Sequence, residues 1–260
     1  MRIGFPSRFP AVKAAVLLTA LLLLCNSALS AGFSTPYTAS YAVSNNGTQA
    51  GTMTRSLKAN PDGTYVLESN LTATEGLMAL IGIKVLERSI WVLKGDTIQP
   101  LDYLYQQSGL RSRKISMQFD WGHKLIHAKV KGESRELEAV PGMFDNLLYQ
   151  VAISRDLKAG KKTLDYVVAE NGKIKQYHIE RTGQEKLETP LGTLDTIKVE
   201  KHNPGNKRMT TLWCAPSLNY LPVRMDHIEK NGEQTSAVIQ SFNPAPASAG
   251  TDNPSSTSSD

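Results

Sequence analysis

Ile115-Ser116-Met117-Gln118-Phe119-Asp120-Trp121 is apolar at every odd position and polar at every even one. A period of two marks a strand with one buried face, because successive side chains leave a pleated backbone on opposite sides. Trp121-Gly122 supplies a turn. Alternation resumes from Leu125 to Val130, with Ile126, Ala128 and Val130 on one face. Two such runs joined by so short a connection must lie antiparallel, since a parallel crossover needs a dozen or more residues.

The pattern continues on both sides. Turn signals recur at Asn45-Asn46-Gly47, Pro61-Asp62-Gly63, Gly95-Asp96, Ser108-Gly109, Lys131-Gly132, Asn171-Gly172, Pro204-Gly205-Asn206 and Asn231-Gly232. Between them, strands are predicted over 36–44, 50–58, 64–73, 84–94, 97–106, 163–170, 173–182, 193–202, 208–214, 219–229 and 234–242. So many short, closely connected strands predict a mainly β fold, an antiparallel meander curled into a half-barrel or barrel. Charged outward positions, such as Lys198 and Glu200 on either side of Val199, are at odds with the lipid-facing band of an outer-membrane barrel.

One segment departs from this period. From Phe144, apolar residues fall at Leu147, Leu148, Val151 and Ala152, the stripe of an amphipathic helix. Asp145 or Asn146 suits its start, Arg155 and Lys158 suit the negative end of its dipole, and Gly160 stops it. This single helix, over 144–158, is expected to pack on or across the sheet, or to plug an open side. The uncharged stretch Gly76-Leu77-Met78-Ala79-Leu80-Ile81-Gly82-Ile83 reads as a buried crossover, with a mobile lid as the alternative.

The chain's ends read differently. Arg2, Arg8 and Lys13, with no acid among them, precede the apolar run 14–24, and Ala28 and Ser30 then stand at −3 and −1 of a cleavage site. That is an export signal over 1–30, too short for a membrane span. Leu24 precedes Cys25 where a lipoprotein carries a small residue, so no lipid anchor is expected. Residues 244–260 are rich in Pro, Ala, Ser and Thr and predict a disordered tail, leaving 31–243 as one β-rich domain. The 260-residue chain carries 29 basic and 24 acidic residues, a net charge of +5. Losing three basic residues with the signal leaves a nearly neutral mature chain, which removes the electrostatic case for a nucleic-acid partner. It also leaves Cys214 without a disulfide partner, to be read as a small buried hydrophobe.

Pro141-Gly142-Met143-Phe144-Asp145, Thr189-Pro190-Leu191-Gly192-Thr193-Leu194-Asp195-Thr196-Ile197-Lys198-Val199, and Thr211-Leu212-Trp213 running on to Tyr220-Leu221-Pro222-Val223-Arg224 together resemble an exported bacterial family, domain of unknown function 3108. The resemblance covers about 36 to 242. It implies a β-rich protein of the Gram-negative envelope, in keeping with the periplasmic location that the export signal predicts, and it supplies no activity and no site residue.

The residues themselves offer no catalytic motif. Gly-x-Ser-x-Gly, His-Glu-x-x-His, a phosphate loop and a dinucleotide fingerprint are all missing, so no cofactor or catalytic residue is assigned. His123 and His127 would share a strand face roughly 13 Å apart, too far to ligate one metal. The suggestive pattern is one of parity. Arg111 and Arg113 share the odd face with Ile115, Met117, Phe119 and Trp121, provided no bulge intervenes near Gly109. A concave sheet so lined suits an anionic amphiphile, its head on Arg111 and Arg113 and its tail on Met117, Phe119 and Trp121. Binding or carriage of a lipid or other amphiphile is therefore the expected function. The alternative is a structural or protein-interaction module of the envelope, with the same face as filled core and another envelope protein as partner.

Overall fold

The computed structural model describes residues 35–109, 112–202, 205 and 207–245. The predicted export signal over 1–30, Arg111 and most of the predicted tail lie outside them. The elements are β1 (Tyr37–Asn45), β2 (Thr48–Ala59), β3 (Thr64–Ala73), α1 (Gly76–Leu80), β4 (Lys84–Lys94), β5 (Thr97–Ser108), β6 (Arg113–Asp120), β7 (Leu125–Val130) and β8 (Glu133–Glu138). There follow β9 (Phe144–Asp145), α2 (Tyr149–Lys158), β10 (Thr163–Glu170), β11 (Lys173–Thr189), β12 (Gly192–His202), β13 (Met209–Ala215), a 3-10 turn, β14 (Leu221–Ile228) and β15 (Gln234–Pro244).

All fifteen strands join one sheet, in the order β8-β7-β6-β5-β4-β3-β2-β1-β15-β14-β13-β12-β11-β10-β9. The first and last strands pair at its middle, Tyr37 opposite Pro244, and the two edges are β8 and β9. No ladder joins those edges among the described residues, so the curled sheet is an open half-barrel. Every pairing is antiparallel except β9 with β10, where Phe144 faces Val168. That pair is parallel because α2 lies in its connection, the crossover that parallel strands require.

The helix differs from the expectation at its start. Phe144 and Asp145 belong to a strand, and the Asp145 carboxylate accepts the Leu147 and Leu148 N–H groups at 2.9 and 2.8 Å, opening a tight turn before the helix proper. A side-chain acceptor here satisfies donors that the first turn leaves without a partner. Seven of the ten α2 residues are buried, on all sides of the helix. Leu147, Leu148, Ala152 and Ile153 cluster with Trp91, Met117, Ile126, Leu164, Val199 and Leu212 from strands on both halves of the sheet. The helix fills the hollow of the curl, and the apolar inward faces of the strands pack directly on it. A smaller cluster gathers Tyr41, Trp213, Val223 and Ile239, with Leu187 and Leu194 from the β11–β12 tip packed against it.

Side chains close what backbone does not. At the β10–β11 turn Gly172 has φ +67°, and a Cβ there would lie 2.8 Å from Val130 Cγ2 and 3.2 Å from Arg135 Cδ. The turn therefore sits directly on the β7–β8 hairpin. Across the same seam Arg113 Nη2 donates to Asn171 Oδ1 at 2.6 Å, and Ser89 Oγ on β4 donates to Asp145 Oδ2 on β9 at 2.5 Å. The expected buried crossover over 76–83 is not wholly buried: α1 lies there, and Leu80 is 85% exposed.

Candidate ligand-binding interior

The ladder between β5 and β6 runs without a register shift, Gln107 opposite Arg113 and Tyr103 opposite Met117. The parity read from the sequence thus holds within β6, where Arg113 shares the inward face with Ile115, Met117 and Phe119. These side chains do not form one open surface. Met117 and Phe119 are buried against the helix. Trp121 stacks on Phe119 with centroids 6.0 Å apart, donates its indole N–H to Pro100 O at 2.7 Å, and lines a cavity of about 260 Å³ with Ile98 and Pro141. Arg113 and Trp121 are eight residues apart, roughly 27 Å along a strand, so they lie at opposite ends of the sheet.

Around Arg113 the interior turns polar, because inward positions that carry Ile or Leu elsewhere carry Glu87 on β4, Tyr105 on β5, Glu170 on β10 and Lys201 on β12. The Glu87 carboxylate accepts the Tyr103 hydroxyl at 2.6 Å and the Asn146 amide at 3.2 Å. The Tyr177 hydroxyl donates to Glu170 at 2.7 Å, with Asn146 Oδ1 3.2 Å away, and Lys175 Nζ reaches the same Glu170 oxygen at 2.7 Å. Lys201 Nζ rests 3.7 Å from the centre of the Tyr177 ring and 5.4 Å from that of Tyr149.

Burial sets the protonation of this layer. It pushes Glu87 upward despite the Tyr103 and Asn146 hydrogen bonds, and it pushes Asp145 up to about 7 against the pull of Ser89 and the two backbone N–H groups. It drives Lys201 down to about 8, with Glu170 opposing. At Glu170 burial also works against the charge, but Lys175 and Tyr177 outweigh it and hold the carboxyl low.

Two guanidiniums face this layer, and neither pairs with an acid among the described residues. Arg113 has the Asn171 amide oxygen and the Tyr105 ring, 5.7 Å from its central carbon. Arg55, on β2, is only 5% exposed and donates through Nη1 to Gln150 Oε1 on α2 at 2.8 Å. Both Nε atoms are buried without an acceptor. Sequence inspection missed Arg55, Glu87, Lys201 and the tyrosines around them. Odd parity along β2 placed Arg55 inward in principle, but its partner is 95 residues away on the helix.

Other chemistry is sparse. Among the described residues no group of three or more His, Cys, Asp or Glu is placed to hold a metal ion. His123 contacts Asp120 and His127 lies near Glu136 on the exposed face. Cys214 is buried, which pushes its thiol up to about 12 and keeps it un-ionised. No described helix is long and apolar enough to cross a membrane.

A family model described as "Protein of unknown function (DUF3108)" matches residues 36–238. The chain belongs to the DUF3108 family. No curated protein matches it. Among solved structures, this DUF3108 chain is similar to a β-barrel-like protein of domain of unknown function DUF1849 from Brucella abortus. The TM-score is 0.54 at 8% identity, covering 82% of this chain and 98% of that one. At that identity the likeness is one of fold, and it agrees with the curled sheet. A protein from Bacteroides fragilis described as exported, with a YmcC-like fold, aligns over 80% of this chain and 95% of its own at 10% identity. Its TM-score of 0.31 is too low to bear on the DUF3108 fold.

Proposed function

We propose that this DUF3108 protein is exported to the periplasm and there binds or carries an anionic amphiphile, whose head sits at the polar end of the half-barrel beside Arg113. One observation carries the reading: the Arg113 guanidinium faces the interior with a neutral amide and an aromatic ring as its partners, and its buried Nε has no acceptor. An amide oxygen leaves most of a guanidinium's five-donor fork and all of its charge available, and a carboxylate or phosphate matches both. The apolar floor of Met117 and Phe119 is covered by α2, so an acyl tail reaches it only if the helix end yields. Otherwise the tail lies along the rim near exposed Leu80.

The test is native mass spectrometry of the full chain expressed with its signal and purified from a Gram-negative envelope. The mature protein is expected to begin at Ala31 and to carry an anionic amphiphile whose occupancy falls in Arg113→Ala. A ligand-free protein that takes up neither dodecanoate nor dodecyl phosphate overturns the reading. A second reading, an interaction module without a small ligand, draws on the filled hollow. A reproducible cross-linked envelope partner on a ligand-free protein would favour it.

A further inference from the structure

Arg55 is the most deeply buried of the described lysines and arginines, and no acid pairs with it among the described residues. It lies on the inward face of β2, opposite Ser69 on β3, and 95% of its surface is covered. Among the described residues its single side-chain hydrogen-bond partner is Gln150, in the first turn of α2, and Nε has none. Its charge is near enough to stabilise the ionised form of Glu87, yet no carboxylate oxygen lies within 4 Å of it among the described residues. A buried guanidinium N–H without an acceptor is destabilising, and an unpaired buried charge more so. The helix end beside it adds to the positive potential, since the first turn presents the positive pole of the helix.

We infer that Arg55 is a second, deeper seat for an oxyanion, a carboxylate or phosphoryl oxygen of the ligand lodged between β2 and the first turn of α2. The inference rests on the reading that the interior takes an anionic ligand, but it assigns a different place. Arg55 and Arg113 stand on strands four spacings apart, roughly 19 Å along the sheet, so they are separate contacts. An oxyanion at Arg55 would meet Nε directly, and it would draw Gln150, and with it the start of α2, toward β2. The neutral amide is an easily displaced partner, which suits a seat filled and emptied in turn.

The experiment is isothermal titration of the mature protein with dodecanoate, dodecyl phosphate and inorganic phosphate, comparing wild type with Arg55→Gln, Arg55→Lys and Arg113→Gln. The expected result is at least tenfold weaker binding in Arg55→Gln, with part of the loss restored in Arg55→Lys. Inorganic phosphate that competes with the amphiphile in wild type but not in Arg55→Gln supports the seat and identifies the headgroup as what it holds. If Arg55→Gln binds as wild type while Arg113→Gln does not, the deeper seat is overturned and the rim reading stands. If wild type binds none of the three probes, both fall. Should the Arg55 variants fail to fold, the Arg55 Nε–Hε resonance of wild type decides, assigned by its proximity to the Gln150 amide. A shift on adding dodecanoate supports the seat, whereas an unmoved resonance while Arg113 responds overturns it.

Discussion

Asp145 does two things with one carboxyl group. One oxygen closes the turn into α2 through two backbone N–H groups, and the other accepts the Ser89 hydroxyl across the open side of the sheet. Both oxygens are shut away from water, and burial lifts the group to about 7 from an ordinary 3.8. The folded state therefore holds a proton on Asp145 that the unfolded chain has already released above about pH 4. A raised carboxyl stabilises fully below its unfolded value, and that contribution drains away as pH climbs through the folded one. Stability should thus fall between about pH 4 and 7 by an amount on the order of 4 kcal/mol, with Glu87 adding in the same direction. Asp145→Asn keeps an acceptor for the turn and should flatten the Asp145 share of this slope. Asp145→Ala strands both N–H groups and should cost about 1–3 kcal/mol at every pH. Urea unfolding at pH 5 and pH 8 separates the two; a slope unchanged in Asp145→Asn would mean the carboxyl is not the source.

At the scale of elements, α2 is where the curled sheet finds its filling. Ile153 is wholly buried among strands of both halves, so Ile153→Ala should cost about 2–5 kcal/mol, the transfer loss together with a cavity that surrounding strands cannot collapse to fill. Leu80→Ala, at an exposed position in α1, should change the unfolding midpoint little and serves as its control. An equal loss in both variants would contradict a helix-centred core. The helix was legible because its stripe repeats every three or four residues, and β3, β4, β7 and β10 were legible residue for residue because they alternate. Two elements were obscure for opposite reasons. The Glu133–Glu138 strand has one apolar side chain among six and pairs on one side only; its charges are what an unpaired edge needs to discourage further pairing. Phe144–Asp145 was read into the helix because its apolar residue fits that stripe too, and two residues cannot show a period of two. The polar layer was hidden more thoroughly. Glu87, Asn146, Tyr177 and Glu170 meet only once the sheet has curled, and nothing local marks them.

At the scale of the whole molecule, the seam between the two sheet edges is held by few contacts, among them Arg113 with Asn171, Ser89 with Asp145, and Gly172 on Val130 and Arg135. Gly172→Ala combines a left-handed backbone with a close approach to a neighbouring hairpin, and it should destabilise by more than about 1 kcal/mol. Gly232→Ala, also left-handed but with open space around it, should cost less, and the difference measures the seam. If both cost the same, the turn conformation alone accounts for the loss.

The meeting of the first and last strands gives the sheet an order that is the sequence order cut and rejoined. Read from one edge, the strands run from the ninth to the fifteenth and then from the first to the eighth. The described ends lie side by side, the Ala245 N–H bonded to Pro36 O. A chain joined there by a short linker and opened at exposed Pro141-Gly142 would lay down every strand next to its predecessor. In the natural order, one central ladder waits for the final strand to be synthesised, and until then two half-sheets each bear a bare edge. The permuted chain closes no such long loop. It should refold faster in stopped-flow at similar equilibrium stability, because the entropy of bringing its most distant partners together is no longer a barrier to folding.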